Sequence, residues 1–212
     1  RRLAPRRLRA GLKFANRRYI ALVENGRHQI DPSYTIREAR TADIEQMTGF
    51  LVKLDAHVAG VAPEVLSLNK EDERQLTERL KTLVDNGFTR LLVAEVRGTG
   101  ALVAMGHVQI WHHAEIWDNV ERKGMSYALI DDLWVEPDAR QSGIGRLIVS
   151  KLVDFAAEHG VDDLILEYAI TNAEAQATWT RLGFRTTGVR AAASVHDVRA
   201  RLARRRKKQD AK

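Results

Sequence analysis

The sequence predicts one α/β domain of the α+β kind, in which a mixed, mostly antiparallel central sheet contains one parallel βαβ unit. Its 212 residues suit a single domain with extensions, and 44% hydrophobic residues are enough for a sizeable core. Two strand-like segments flank a turn at residues 97–100, which predicts a hairpin. Further along, a strand, a glycine-rich turn, an amphipathic helix and another strand follow in order, which predicts the parallel unit.

The first elements of this domain are a strand and two helices. Alternating residues at 34–38 predict the strand, and Thr41 is placed to cap a helix that runs through residue 54. A second helix is expected to begin near Asn69, where a capping pattern occurs, and to end at Gly87.

The remaining elements are bounded by polar turns. Further strands are expected at residues 89–96, 101–111, 125–135, 163–169 and from Phe184. Between the later strands, one amphipathic helix ends at Gly160 and a short one covers residues 172–182.

The composition excludes several classes of site. The sequence has no cysteine, which rules out a disulfide framework, a thiolate metal site and a cysteine nucleophile. Because this usage suits a reducing compartment, we expect a cytoplasmic protein. The longest apolar stretches, such as residues 101–105, fall far short of the roughly 18 residues that a membrane-spanning helix requires, so we expect no membrane span.

Basic residues are concentrated at the two ends of the chain. Residues 1–18 carry eight bases and no acid, and residues 199–212 carry eight bases and one acid. Residues 19–198 therefore hold 18 bases against 27 acids, a net charge of −9. Basic arms of this kind bind polyanions or contact the acidic body, whereas the alternative is a pair of solvated tails.

The charge distribution and the apolar spacing together predict three parts. A basic amphipathic helix is expected between Arg6 and Glu24, within an extension at residues 1–33. The domain itself is expected at residues 34–192, and a basic helix or tail at residues 193–212.

The glycine-rich turn follows the pattern Arg140-x-x-Gly143-x-Gly145 between a strand and a helix. Such a turn exposes backbone amides at the positive end of a helix dipole, which suits a pyrophosphate. The dinucleotide fingerprint and the phosphate loop with Gly-Lys-Ser/Thr do not occur at this turn, which disfavours nicotinamide and nucleoside triphosphate ligands. The alternative is a plain strand-to-helix turn.

Two segments of the sequence resemble the GNAT superfamily of acetyl-CoA-dependent N-acetyltransferases, over about residues 34–189. "LIDDLWVEPDARQSGIGRLIV" is similar to the family's strand, pyrophosphate loop and helix, and "NAEAQATWTRLGF" is similar to its Asn-x-x-Ala segment before Leu-Gly-Phe. The resemblance implies a GNAT-like fold in which acetyl-CoA, as cosubstrate, lies between two splayed parallel strands. It implies cofactor contacts by Leu133, Trp134, Val135, Arg140, Gln141, Ser142, Gly143, Ile144, Gly145, Arg146, Asn172, Ala175 and Trp179.

Acidic residues near the same strands are candidates for a general base. An alkylammonium has a pKa near 10, so a carboxylate or a water chain must remove a proton before the amine can attack. Asp131, Asp132 and Glu167 are the candidates, although strand-end charges and ion pairing are the alternatives for them. Since adjacent strand residues point to opposite faces, only one of the aspartates is expected to face the cleft, and the resemblance favours Asp131.

Two further features bear on the chemistry. Trp179 stands where many family members have a tyrosine that is thought to protonate the leaving thiolate, and an indole cannot do so. Either another group such as Tyr168 or water protonates the thiolate, or no acid is needed. His107, His112 and His113 lie near Glu115 in the sequence, but adjacent histidines rarely ligate one metal well. We therefore predict no metal.

These observations predict an N-acetyltransferase that acts on a primary amine of a small molecule or protein. Acids at positions 115, 118 and 121 favour a cationic acceptor. The alternatives are a CoA-binding regulatory or interaction module without turnover, a nucleic-acid-associated acetyltransferase of a ribosomal or nucleoid protein, and a transferase for a longer acyl-CoA. Whether the chain forms a homodimer is left open.

Overall fold

The computed structural model describes residues 33–62, 70–112 and 126–188, together with residues 195, 196, 198 and 199. The strands are β1 (Tyr34–Glu38), β2 (Thr89–Val96), β3 (Leu102–His112), β4 (Ser126–Val135) and β5 (Asp163–Leu166). The helices are α1 (Ile44–Val61), α2 (Lys70–Leu83), α3 (Ile144–Glu158) and α4 (Ala173–Arg181). The predicted basic helix between Arg6 and Glu24 and the proposed cap Asn69 lie outside the described residues.

The strands form one sheet in the order β1-β2-β3-β4-β5. The first three pairings are antiparallel, and β4 pairs with β5 in parallel, so the predicted mixed, mostly antiparallel sheet is confirmed. The hairpin between β2 and β3 and the unit of β4, α3 and β5 are confirmed with it. None of the helices in the described ranges is long and apolar enough to cross a membrane.

Helices cover both faces of the sheet. Helix α3 packs on one face, where Ile148 and Leu152 are fully buried against β3 and β4. A side chain at Gly106 would collide with Ile148, so the absence of a Cβ at that position lets α3 approach the backbone of β3. Helices α1 and α2 cover part of the other face, where Met105 and Trp134 are buried.

A β-bulge interrupts the pairing of β3 with β4. Gly106 pairs with Leu133 and Val108 pairs with Ile130, so the single residue His107 opposes two residues of β4, Asp131 and Asp132. The extra residue inverts the alternation along β4. Ala128 and Ile130 lie in the α3 core before the bulge, and Leu133 and Val135 pack against the same core after it. The prediction that one alternation runs through the whole strand is therefore wrong.

The start of α1 differs from the prediction that Thr41 caps it. Thr41 instead begins a 3-10 turn, Thr41–Asp43. Asp43 Oδ2 accepts a hydrogen bond from the Arg40 backbone N–H at 2.7 Å, and both oxygens accept from Arg37, at 2.7 and 2.9 Å. Because Arg37 Nε also donates to Glu95 at 2.6 Å, this cluster joins β1, the turn and β2. The hydrogen bond from Arg37 holds the pKa of Asp43 below its usual range.

Two predicted boundaries and one predicted strand are wrong. After α2 the left-handed residue is Asp85, with φ of 65°, so the helix ends before Gly87. Strand β5 ends at Leu166 rather than at residue 169, because the bulge bends β4 away just after the last paired residue. Residues 184–188 have no regular structure, and Phe184 instead packs on the α3 core.

Candidate active site

An opening between β4 and β5 is the main feature of the candidate site. The parallel pairing ends where Ile130 meets Leu166, and beyond it no pairing joins the two strands in the described part of the chain. Residues 131–135 still belong to β4, and Leu133 and Val135 remain paired with β3 on their other side. Among the described residues, the backbone groups of this segment make no ladder hydrogen bonds on the β5 side. A ligand can therefore supply partners there, since backbone groups that are removed from water need partners.

The turn after β4 leads directly into α3. Gly143 has φ of 85° and Gln141 has φ of 64°, both in the left-handed region. The amides of residues 141–145 donate to no backbone carbonyl among the described residues. Such donors at a helix N-terminus attract anions. A Cβ at Gly145 would lie 3.4 Å from Val135, so this glycine allows the helix to start close to the strand.

Arg140 and Ser142 make local contacts within this turn. Arg140 Nε donates to the carbonyl of Val135 at 3.2 Å, and its guanidinium lies 5.3 Å from the centre of the Trp134 ring. Arg140 is also 3.8 Å from a carboxylate oxygen of Glu174. Ser142 Oγ donates to the carbonyl of Ala139 at 2.6 Å. The charge of Arg140 therefore lies at the β4 end of the turn.

The predicted cofactor residues differ in whether their side chains or only their backbone groups can contact a ligand. The side chains of Trp134 and Ile144 are buried in the two cores, so only their backbone groups can face a ligand. Leu133 and Val135 are partly buried, and Arg146 is exposed in the first turn of α3.

Helix α4 supplies the remaining predicted cofactor residues. Asn172 is buried and caps α4, because its Oδ1 accepts a hydrogen bond from the Ala175 amide at 3.0 Å. Trp179 packs edge to face against Phe184, with ring centres 5.4 Å apart. The cap therefore occupies the oxygen of Asn172 and not its Nδ2, while Trp179 forms an apolar wall next to the α3 core.

The two candidate aspartates meet at the bulge beside His107. Asp132 Oδ2 lies 3.4 Å from His107 Nδ1 and Asp131 Oδ2 lies 4.0 Å from it. The side chain of Asp131 is 58% exposed, that of Asp132 is 29% exposed, and His107 is buried. The expectation that only one aspartate faces the cleft depended on unbroken alternation, which the bulge removes. Glu167 follows β5 and is exposed.

Sequence reasoning missed the position of His107. The signal was one ionisable residue in the middle of a mostly apolar strand. The ligand atoms of His107, Asp131 and Asp132 lie within 4.8 Å of one another, a spacing that could hold a cation. The absence of a metal therefore stays a prediction. His113 and Glu115 are outside the described residues.

Comparison with known proteins decides the family. Residues 61–184, more than half of the chain, match the model of the acetyltransferase (GNAT) family. The chain belongs to the GNAT acetyltransferase family. The resemblance drawn from the two motifs is confirmed, and the opening next to an amide-lined turn lies within the matched residues.

Individual GNAT relatives match parts of the chain. Streptothricin acetyltransferase of Streptomyces lavendulae is 40% identical over 60 residues, 28% of this chain and 32% of that protein. The ribosomal protein bS18 alanine N-acetyltransferase of Escherichia coli K12 is 27% identical over 110 residues, 52% of this chain and 66% of that protein. The chain therefore spans less than two thirds of either relative.

A solved structure supports the GNAT fold. The predicted acetyltransferase of Clostridium acetobutylicum, solved with acetyl-CoA, superposes with a TM-score of 0.62 and 18% identity, covering 77% of this chain and 97% of that one. At this identity the likeness shows the fold alone.

Proposed function

We propose that this chain transfers an acetyl group from acetyl-CoA to a primary amine. The observation that carries the proposal is the opening between β4 and β5, which begins just after Ile130. At one end it meets the amides of residues 141–145, which donate to no backbone carbonyl among the described residues, and at the other it meets the aspartates of the bulge. One opening thus joins an anion-binding turn to a pair of carboxylates.

The residues of this opening fit acetyl-CoA. The amides of residues 141–145 would hold the pyrophosphate, since the turn is left-handed at Gly143 and carries no side chain there. The unpaired edge of β4 at Leu133 and Val135 would bind the amides of the pantetheine. Asn172 Nδ2 would donate to the same arm, and Trp179 would line it.

The carboxylates supply the proton acceptor. Acetyl-CoA brings the acetyl group as a thioester. The acceptor ammonium first loses one proton to a carboxylate or to a water that it holds. The neutral nitrogen then bonds to the acetyl carbon, the carbon–sulfur bond breaks, the CoA thiolate leaves, and the second proton passes from the nitrogen to the thiolate or to water. Asp131 is the first candidate, because it is the more exposed of the pair. Asp132 is the alternative, and Glu167 is the third candidate.

The acceptor is proposed to be a cationic amine. Residues 19–198 carry a net charge of −9, and two carboxylates lie side by side at the bulge, so a cation is attracted to this site. By name, one relative acetylates streptothricin and the other an alanine of a ribosomal protein. Small cationic amines and protein amino termini are therefore both candidates.

A CoA-binding module without turnover is the second proposal. The observation that favours it is Trp179, which packs against Phe184 and has no hydroxyl to protonate a thiolate. Tyr168 is the nearest substitute in sequence, and its hydroxyl lies 3.3 Å from Thr186 Oγ1.

A free-thiol assay separates the two proposals. Acetyl-CoA is offered with spermidine, tobramycin, free alanine, or a peptide with an N-terminal alanine, and acetyl-CoA binding is measured by calorimetry. Thiol release that depends on one of these amines, and that is lost in the Asp131→Asn/Asp132→Asn double variant, supports acetyl transfer. Tight acetyl-CoA binding with no amine-dependent release would replace the enzyme with the binding module.

A further inference from the structure

His107 is a polar residue buried in the middle of the sheet. It is 4% exposed and lies in β3 between Gly106 and Val108, where the pairing with β4 is irregular. Both carboxylates of the bulge lie near one of its ring nitrogens, at 3.4 and 4.0 Å from Nδ1. Nothing in the motifs that identify the family points to this residue.

We propose that His107 is a positioning residue that holds Asp132 and thereby sets the geometry of the carboxylate pair. This inference rests on the proposed acetyl transfer. Two adjacent carboxylates repel each other, and a half-buried carboxylate needs a hydrogen-bond donor. Nδ1–H donates to Asp132, which is the closer and less exposed of the two. Asp131 is left more exposed and faces the incoming amine.

The second ring nitrogen shows on which side the proton lies. His107 Nε2 is buried and makes no hydrogen bond within the part of the chain that the structure describes. A buried N–H without an acceptor is rarer in proteins than a buried acceptor with an unused lone pair. We therefore assign the ring proton to Nδ1, on the side that faces the carboxylates. The distance of 3.4 Å is long for a hydrogen bond, as catalytic contacts often are before substrate binds.

The bulge allows one histidine to lie next to both carboxylates. In a regular ladder one residue of β3 would oppose one residue of β4, and the two aspartates would point to opposite faces. With two residues opposite His107, an oxygen of each carboxylate lies within 4.0 Å of one imidazole nitrogen. The histidine and the bulge therefore act together to keep the two acids on one side of the strand.

Substitutions at His107 that move or remove its N–H donor test its role as a positioning residue. His107→Asn keeps an N–H donor near the place of Nδ1, His107→Gln moves it toward the place of Nε2, and His107→Leu removes it. With whichever amine of the free-thiol assay gives the highest turnover in the parent, we expect kcat to fall by at least about tenfold in the Leu and Gln variants. The Asn variant should keep most of the activity, and KM for acetyl-CoA should change less than about twofold in all three.

A control on the same face of β3 separates positioning from packing. Met105→Leu alters a fully buried side chain without removing a polar contact, so its kcat should stay near that of the parent. Equal kcat in the parent and a folded His107→Leu variant would overturn the proposal. Equal losses in the Asn and Leu variants would also overturn it, because packing alone would then explain the effect.

A nitrogen-15 NMR measurement tests the proposal without any turnover. The His107 ring should show its proton on Nδ1, and Asp132→Asn should shift that signal more than Asp131→Asn does. A proton on Nε2 would overturn the proposal whether or not an amine is acetylated. Activity that chelation abolishes and added Zn²⁺ or Mn²⁺ restores would overturn it too, by making the three side chains a metal site. If the parent itself turns over no amine, the proposed function fails, while the NMR result still decides the histidine contact.

Discussion

Ile130 of β4 and Leu166 of β5 are the last residues that the parallel ladder joins. The next two positions of β4 are Asp131 and Asp132, so the divergence of the strands and the carboxylate pair begin at the same point. The bulge accounts for both, because it bends β4 and adds the extra residue that faces His107. The end of the ladder thus places the acids next to the opening.

Gly143 tests the cofactor turn. Gly143→Val should weaken acetyl-CoA binding by at least about tenfold, because a side chain in the left-handed turn strains the backbone by roughly 1–2 kcal/mol and obstructs the approach of the pyrophosphate. Calorimetry measures the affinity and thermal denaturation measures the stability.

Gly98 provides a matched control for the strain. It has φ of 88°, close to the 85° of Gly143, and a Cβ at either glycine meets no other atom within 4 Å. Gly98→Val should therefore cost similar stability in the hairpin turn and leave the affinity for acetyl-CoA unchanged. If both variants bind acetyl-CoA as the parent does, the turn does not hold the pyrophosphate.

The aspartates at the bulge test the base. Asp131→Asn should lower kcat by about 10² to 10⁴ at neutral pH, with much of the loss recovered at alkaline pH, where the amine sheds its own proton. The measurement is a pH–rate profile for the parent, Asp131→Asn, Asp132→Asn and Glu167→Gln. Asp154→Asn, an exposed change on α3, should behave as the parent does. A loss in Asp132→Asn that Asp131→Asn does not share would make Asp132 the base.

Trp179 tests whether the leaving thiolate needs an acid. A thiol with a pKa near 8.5 lies only one or two units above neutral pH, so protonation gains little compared with deprotonating an amine. Trp179→Tyr should therefore change kcat by less than about tenfold. Trp179→Ala should cost stability, although less than the roughly 3–5 kcal/mol of a fully buried tryptophan, because Trp179 is only partly buried. A large rise in kcat for the Tyr variant at unchanged acetyl-CoA affinity would instead show that protonation of the thiolate limits turnover.

The ion pair of Arg37 with Asp43 gives a pH-dependent contribution to stability. The hydrogen bond from Arg37 lowers the pKa of Asp43 in the folded protein, so the stabilisation is complete above the unfolded-state pKa and is lost as the pH falls below about 4. Asp43→Asn should lower the free energy of unfolding by roughly 1–3 kcal/mol at pH 7. In urea titrations, the difference from the parent should shrink as the pH falls below about 4.

Glu71 is the matched control for this pair. It accepts a hydrogen bond from Arg74 at 2.6 Å, but both side chains are largely exposed. Exposed pairs of this kind contribute little, so Glu71→Gln should change the free energy of unfolding far less than Asp43→Asn does. Equal effects of Asp43→Asn and Glu71→Gln would show that the Arg37 cluster does not stabilise the fold as described.

The order of the elements up to α4 and the glycine-rich turn were predictable from the sequence by itself. Both depend on local rules: apolar periodicity marks strands and helices, and Gly143 permits the left-handed turn that opens α3. Asn172 at the start of α4 follows the same logic, since a cap is made within one helical turn. These features need no information about distant parts of the chain.

The placement of the two acids was decided by the tertiary structure. Period-two alternation predicts opposite faces for Asp131 and Asp132, but the bulge arises from pairing with β3, whose residue His107 is 25 positions away from Asp132. The end of β5 at Leu166 has the same origin, because the bent β4 no longer offers a straight edge to it. Strand register is set by pairing and packing across the whole sheet, and a local pattern does not contain that information.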